Sequence, residues 1–196
     1  MAQFVRNALR SPPFATMLAL TVLSCGSYVI VSNQPDYWLE VVARAGVSQA
    51  VAPLVALGAN PSPTLVEDQP LWQAARRGNR STVQALLDAG ADIHASEDFA
   101  LALAAKYGHV GTVRLLLVRG ANFHARDDWA LRIAASEGQL ETVKELLNAG
   151  ADVHASNDEA LRWARESGHG DVVDLLQSRR KLPAIPGRPT ATQKDG

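Results

Sequence analysis

From Ala91 to Arg180 the chain copies itself every thirty residues without a gap, and that period constrains the fold more than any other feature. Segments 91–120, 121–150 and 151–180 are identical in ten of thirty columns, among them Ala91/Ala121/Ala151, His94/His124/His154, Asp98/Asp128/Asp158, Leu101/Leu131/Leu161, Gly108/Gly138/Gly168 and Leu116/Leu146/Leu176. A fixed period of 20–50 residues marks stacked supersecondary units. Each unit reads as two helices. Asp98, Asp128 and Asp158 stand where a side-chain oxygen caps the first helix. Behind them Leu101, Ala104 and Ala105 follow i, i+3, i+4 spacing, an apolar face of small residues. Gly108, Gly138 and Gly168 end that helix with the positive φ that a tight connection requires. Val110, Val113, Leu116 and Leu117 share one face of the second helix, closed by Gly120 or, in the next copy, Gly150. Neither helix buries its stripe alone; stacking buries both.

Three segments tie this pattern to a known one: Ala-Ala-Lys-Tyr-Gly-His at 104–109, Thr-Val-Lys-Glu-Leu-Leu-Asn-Ala-Gly-Ala-Asp-Val-His-Ala at 142–155, and Gln-Pro-Leu-Trp-Gln-Ala-Ala at 69–75. They resemble the ankyrin repeat, the last matching the family's Thr-Pro-Leu-His-x-Ala-Ala with Gln69 for Thr and Trp72 for His. Further back Ala43, Gly46, Leu54 and Gly58 fall thirty-two residues before Ala75, Gly78, Leu86 and Gly90. The resemblance therefore implies an all-α, ankyrin-type helix-turn-helix solenoid over 36–180. It comprises a degenerate first repeat, 36–60, and then 61–90, 91–120, 121–150 and 151–180. Pro53 falls inside the second helix of the degenerate copy, where it removes a backbone hydrogen bond. The chain departs from the family period of about 33, lacking three residues between Ala95 and Phe99 and at the two equivalent places. Only Ser96-Glu97-Asp98 remains where the family builds a β-turn finger, and Ala100, Ala130 and Ala160 replace its proline. The fingers are expected to be short, with little or no hairpin pairing, which shifts binding to the concave helical face.

Ahead of the repeats the chain changes character. No acidic residue precedes Asp36, Arg6 and Arg10 lie in the basic segment 1–13, and the eighteen residues Phe14–Val31 carry no charge. A bilayer takes ~20 residues of helix, so 14–32 reads as an N-terminal hydrophobic helix, either a transmembrane signal anchor or a signal peptide. Cleavage near Ser24–Gly26 and lipid modification of Cys25 are the alternative fates. The anchor is preferred because Tyr28-Val29-Ile30-Val31 continues the apolar run past any cut. Arg6, Arg10 and the amino terminus before the run, against Asp36, Glu40 and only Arg44 close after it, are expected to place the repeats on the non-cytoplasmic side of a membrane in a single-pass arrangement. A periplasmic or secreted protein released by cleavage, or a mitochondrial inner-membrane protein, are the competing locations. At the other end Gln177-Ser178-Arg179-Arg180 gives the array a polar cap. Residues 181–196, with Pro183, Pro186 and Pro189, read as a disordered tail.

Charge and motif content exclude several functions. Nineteen Lys+Arg against twenty Asp+Glu leave a net charge of −1, without the basic excess of a nucleic-acid binder. Cys25 alone supports neither a disulfide framework nor a cysteine metal site. His94, His124 and His154 suggest a metal ladder, but repeats stack at roughly 8–10 Å while ligands of one zinc lie about 2 Å from it. In the resembled family this column is Asn, bonded to loop backbone, and His109 and His169 also sit where the family has His; all are expected to be structural. Candidate Ser/His/Asp groups belong to repeated columns, and no phosphate loop or His-Glu-x-x-His is present. No enzyme activity, catalytic residue, metal, cofactor or small-molecule substrate is expected.

What varies between copies is the pair before each turn glycine: Arg76-Arg77, Lys106-Tyr107, Ser136-Glu137, Glu166-Ser167. The resemblance places these on the concave groove, where they run from basic to acidic and would orient a polar protein partner. Arg132, Arg162 and Arg165 modify that gradient. Phe99 and Trp129 stand beside the shortened loops, either as recognition anchors or as covers over the missing finger; Trp163 reads as core. The expectation is a membrane-tethered or exported module for protein–protein interaction. The alternatives are a structural accessory subunit of a membrane complex and a soluble periplasmic protein assisting an enzyme.

Overall fold

The computed structural model describes residues 35–63 and 69–180, and among these only helices and turns occur. The helices are α1 (Pro35–Ala45), α2 (Val51–Ala56), α3 (Pro70–Arg76), α4 (Arg80–Asp88), α5 (Ala95–Lys106), α6 (Val110–Val118), α7 (Ala125–Ser136), α8 (Leu140–Ala149), α9 (Ala155–Glu166) and α10 (Gly170–Arg180), with a 3-10 turn at Ser48–Ala50 before α2. Odd-numbered helices pack in one row and even-numbered helices in a second, each odd helix also packing on the even helix that follows it. That arrangement is consistent with the helical solenoid expected. Residues 1–13, the hydrophobic run 14–32, the stretch 64–68 and the tail 181–196 lie outside the described residues. No helix among the described residues is long and apolar enough to cross a membrane.

A single apolar core runs the length of the stack. Ala74, Ala75, Ala104, Ala105, Ala134, Ala135 and Ala164 are fully buried between odd helices, where a larger side chain would hold the backbones apart. Leu86, Leu116, Leu146 and Leu176 fill the space behind them from the even row. Thr82, Thr112 and Thr142 occupy one column in that row, and the hydroxyl of each is buried without a hydrogen-bond partner. Pro53 is accommodated differently from expectation. The 3-10 turn delays the start of α2 to Val51, so Pro53 lies in the first turn, where no backbone N–H is required.

The shortened fingers fold in an unusual way. Ser96, Glu97 and Asp98 all have positive φ (50°, 58° and 59°), as do Arg126, Asp127, Asp128 and Ser156, Asn157, Asp158. Each odd helix from α5 onward thus opens with a left-handed turn, and the right-handed helix begins at Phe99, Trp129 and Glu159. Non-glycine residues resist this region by ~1–2 kcal/mol each, so packing must hold the turn. The aspartate at its end does part of this, although not as the helix cap expected. The buried Asp98 carboxylate accepts the backbone N–H of Asn122 (2.8 Å), in the loop after α6, and Asp128 accepts that of Asp152 (3.0 Å). Asp36 makes the same bond to Asn60 (2.6 Å) in the degenerate copy. Histidine completes the arrangement: Nδ1 of His94, His124 and His154 donates to the carboxylate of Asp98, Asp128 and Asp158 at 3.1, 3.0 and 2.8 Å. The expected bond from this column to loop backbone is replaced by an imidazole–carboxylate bond, because the left-handed turn brings residue i+4 under the ring.

A second ladder links consecutive odd helices. His109 Nε2 donates to the Arg76 carbonyl (2.9 Å), Gln139 Nε2 to that of Lys106 (3.3 Å) and His169 Nε2 to that of Ser136 (3.1 Å). Asn79 does the same toward Ala43 (3.3 Å). These bonds satisfy carbonyls that a helix C-terminus leaves free. They pass over the turn glycines closely: a Cβ on Gly138 would lie 2.5 Å from His169 Nδ1.

Candidate functional site

Facing sides of α3 and α5 build an open pocket of about 400 Å³. Trp72, Gln73 and Arg76 share a face of α3, and Phe99, Leu103, Lys106 and Tyr107 share a face of α5. Trp72 and Phe99 meet edge to face with ring centroids 4.9 Å apart. Tyr107 is 40% exposed, unusual for so large a ring. The Arg76 guanidinium lies 5.6 Å from its centroid and the Lys106 ammonium 5.8 Å. The cations hold the ring while their charged heads stay accessible. Lys106 also stands 3.7 Å from Glu137, the equivalent of Tyr107 one repeat on. Among the described residues no carboxylate lies within 4.0 Å of Arg76 or Arg77.

Toward the other end of the row the surface is differently made. Trp129 and Trp163 pack edge to face at 5.8 Å, and the Arg132 guanidinium lies 5.2 and 5.3 Å from their centroids. Arg132 is ion-paired with the mostly buried Glu159, which Arg162 also approaches at 2.8 Å. Trp163 is therefore half-buried in the groove rather than in the core, because its column (Leu103, Ile133, Trp163) faces along the row of odd helices and not into the stack. Arg132 and Arg162 add little to the charge gradient, since Glu159 answers both.

All of the variable positions lie at the ends of successive odd helices. Arg76, Arg77, Glu137, Glu166 and Ser167 are exposed along with Tyr107, while Lys106, Trp129 and Ser136 are half-buried. Arg76 meets Tyr107, and Lys106 meets Glu137, across repeat boundaries. Trp129 belongs to the second cluster. Pocket residues Trp72, Gln73 and Leu103 were not singled out from the sequence as binding residues, although spacing of three or four from Arg76, Lys106 and Tyr107 puts them on the same helical face.

The remaining charged features serve the scaffold. Burial pushes the Asp128 carboxyl above the ordinary carboxylate range, against the bonds from His124 and Asp152 that favour its charged form. On the even row Arg114 bonds Glu145 at 2.5 Å and holds its carboxyl below that range. Among the described residues no group of three His, Cys, Asp or Glu side chains converges as metal ligands would.

Comparison with known families gives two matches. The model described as ankyrin repeats (3 copies) matches residues 39–127, and that described as ankyrin repeats (many copies) matches residues 131–177. No curated protein matches the chain.

Proposed function

Because the chain belongs to the ankyrin-repeat family, whose members are typically non-catalytic protein–protein interaction modules, we propose that its odd-helix face is the docking surface for a protein partner. One observation carries this reading. The paired positions before the turn glycines, which change charge from copy to copy, gather on that face, grade from Arg76, Arg77 and Lys106 to Glu137 and Glu166, and adjoin an open aromatic pocket. Exposed charge of graded sign steers and orients a partner more than it tightens binding, while the partly exposed aromatic rings supply anchors. A photo-crosslinking amino acid at Tyr107 should capture the partner in native cells, whereas the same group at Val118, 83% exposed on the even row, should not. Equal capture at both positions, or capture at Val118 alone, refutes the assignment.

We further propose that the uncharged run Phe14–Val31 tethers this module to a membrane with the repeats on the non-cytoplasmic side. The support is the flanking positive charge, Arg6, Arg10 and the amino terminus before the run against only Arg44 close after it. Alkaline extraction should leave the protein in the membrane pellet, and added protease should digest the repeats only from the non-cytoplasmic side. Release by alkali, or digestion from the cytoplasmic side, would overturn the tether or its orientation.

A further inference from the structure

The pocket between α3 and α5 specifies what kind of segment docks there. Resting on the odd-helix docking surface proposed above, we infer that this pocket binds an extended acidic peptide segment, seating one bulky apolar side chain between Trp72, Phe99 and Leu103 with a neighbouring carboxylate on Arg76 or Lys106.

Three observations converge on that chemistry. The pocket wall is aromatic and aliphatic, and a volume near 400 Å³ exceeds what a lone carboxylate fills. At its rim two cations converge on one ring, each within 6 Å of the Tyr107 centroid. Their charge is largely unanswered: among the described residues no carboxylate lies within 4.0 Å of Arg76, and Lys106 has only Glu137 at 3.7 Å, a pair with both side chains open to solvent. The Trp129–Trp163 cluster makes a useful contrast, because its aromatic rings are covered by Arg132 and that charge is neutralised by Glu159. One cluster is internally satisfied. The other is complementary to something acidic.

An extended chain suits this layout. Side chains two positions apart in such a chain point the same way and lie about 6.6–6.8 Å apart. An apolar side chain in the pocket therefore brings a carboxylate two residues away to the cationic rim. Glu137 limits where the acidic segment runs, since beyond it the odd-helix surface becomes acidic and repels carboxylates.

The test uses the full chain and fluorescently labelled dodecapeptides of Asp, Glu, Ser and Gly with one central Phe, read by anisotropy. The Phe peptide should bind, and more weakly as salt rises because exposed charges are screened. Replacing Phe by Gly in the peptide, or combining Arg76→Glu with Lys106→Glu in the protein, should each weaken binding about tenfold or more. Gln73→Trp, which fills the pocket, should abolish discrimination between the Phe and Gly peptides while leaving the salt dependence. Tyr107→Ala, at an exposed position, provides a second pocket variant should Gln73→Trp destabilise the fold, and circular dichroism checks each variant. Equal binding of a lysine-substituted peptide, no preference for Phe, or tighter binding of a single-stranded oligonucleotide would overturn the inference. Capture of the native partner through position 107 separates the two levels. If it persists while the acidic peptides fail, the docking face stands and the acidic-segment inference falls.

Discussion

Gly138 and Gly168 are matched glycines whose replacement by alanine should have unequal cost. Both sit at the end of an odd helix with similar backbone, φ 69° and 79°, so alanine pays a left-handed penalty of ~1–2 kcal/mol at either one. Their surroundings differ. A Cβ on Gly168 meets nothing within 4 Å. On Gly138 it would lie 2.5, 2.7 and 2.8 Å from three ring atoms of His169, and Nε2 of that ring is bonded to the Ser136 carbonyl at 3.1 Å. The ring cannot withdraw without breaking the bond, which adds about 1–3 kcal/mol once a partly buried carbonyl is left unpaired. Gly138→Ala should therefore cost roughly 2–5 kcal/mol and Gly168→Ala only the backbone share. Urea unfolding followed by circular dichroism measures both, with the slope checked for constancy. In a His169→Ala background the excess at Gly138 should vanish, a coupling of about 1 kcal/mol or more. Equal losses at the two glycines, or an unchanged Gly138→Ala cost once the ring is gone, would refute the idea that the glycine column exists to admit the next repeat's side chain.

Thr142→Val should leave stability unchanged or raise it by about 1 kcal/mol in the same urea assay, since the hydroxyl is buried without a partner and Val172 already fills that column in the last repeat; a loss above ~1 kcal/mol would contradict the packing. Asn157→Val, a surface change that would ordinarily be nearly neutral, should cost about 1–2 kcal/mol because φ is 57°, whereas Asn157→Gly should not. Leu146→Ala should cost about 2–5 kcal/mol as truncation of a fully buried side chain; a change within error would mean the helical register is wrong. Asp128 sets a pH dependence: its folded pKa is raised by burial, so the folded state holds this proton more tightly than the unfolded one. Its stabilising contribution is complete below the unfolded value of about 3.9 and is lost as pH rises through the higher folded value. Relative to Asp128→Asn, the native protein should gain stability as pH falls through that window; a flat difference, or one of opposite sign, would contradict the desolvated carboxyl.

Repeated columns were legible because the same physical demand recurs at each copy. Leu101, Leu116, Ala104 and Gly108 identify the two-helix unit, its core and its turn from spacing alone, and the helices fall there. Long-range polar bonds were less legible. Asp98 has the right residue type and place for a helix cap, yet its carboxylate serves the loop twenty-four residues on, and local spacing carries no information about that loop. Asp36 repeats the bond in the degenerate copy, so the junction is present there although most of the repeated pattern is not. Trp163 was misplaced because sharing a column with the apolar Leu103 and Ile133 suggested core, whereas that whole column is only half-buried on the open side of the row. The charged groove positions came from variation between copies, but the pocket beside them depends on how two helices splay, which no single helix encodes.

The junction bonds have a further consequence for the size of the protein. His109, Gln139 and His169 each reach back thirty-three residues to the same kind of carbonyl, and Asp98 and Asp128 each reach forward twenty-four to the same kind of amide. These seams are thus cut to one template, and excising residues 121–150 would place Asp152 against Asp98 and His169 against Lys106 with both bonds available. Copy number becomes an adjustable property of this part of the array: units between 91 and 180 can be spliced out or duplicated in whole thirty-residue steps without redesign of those seams.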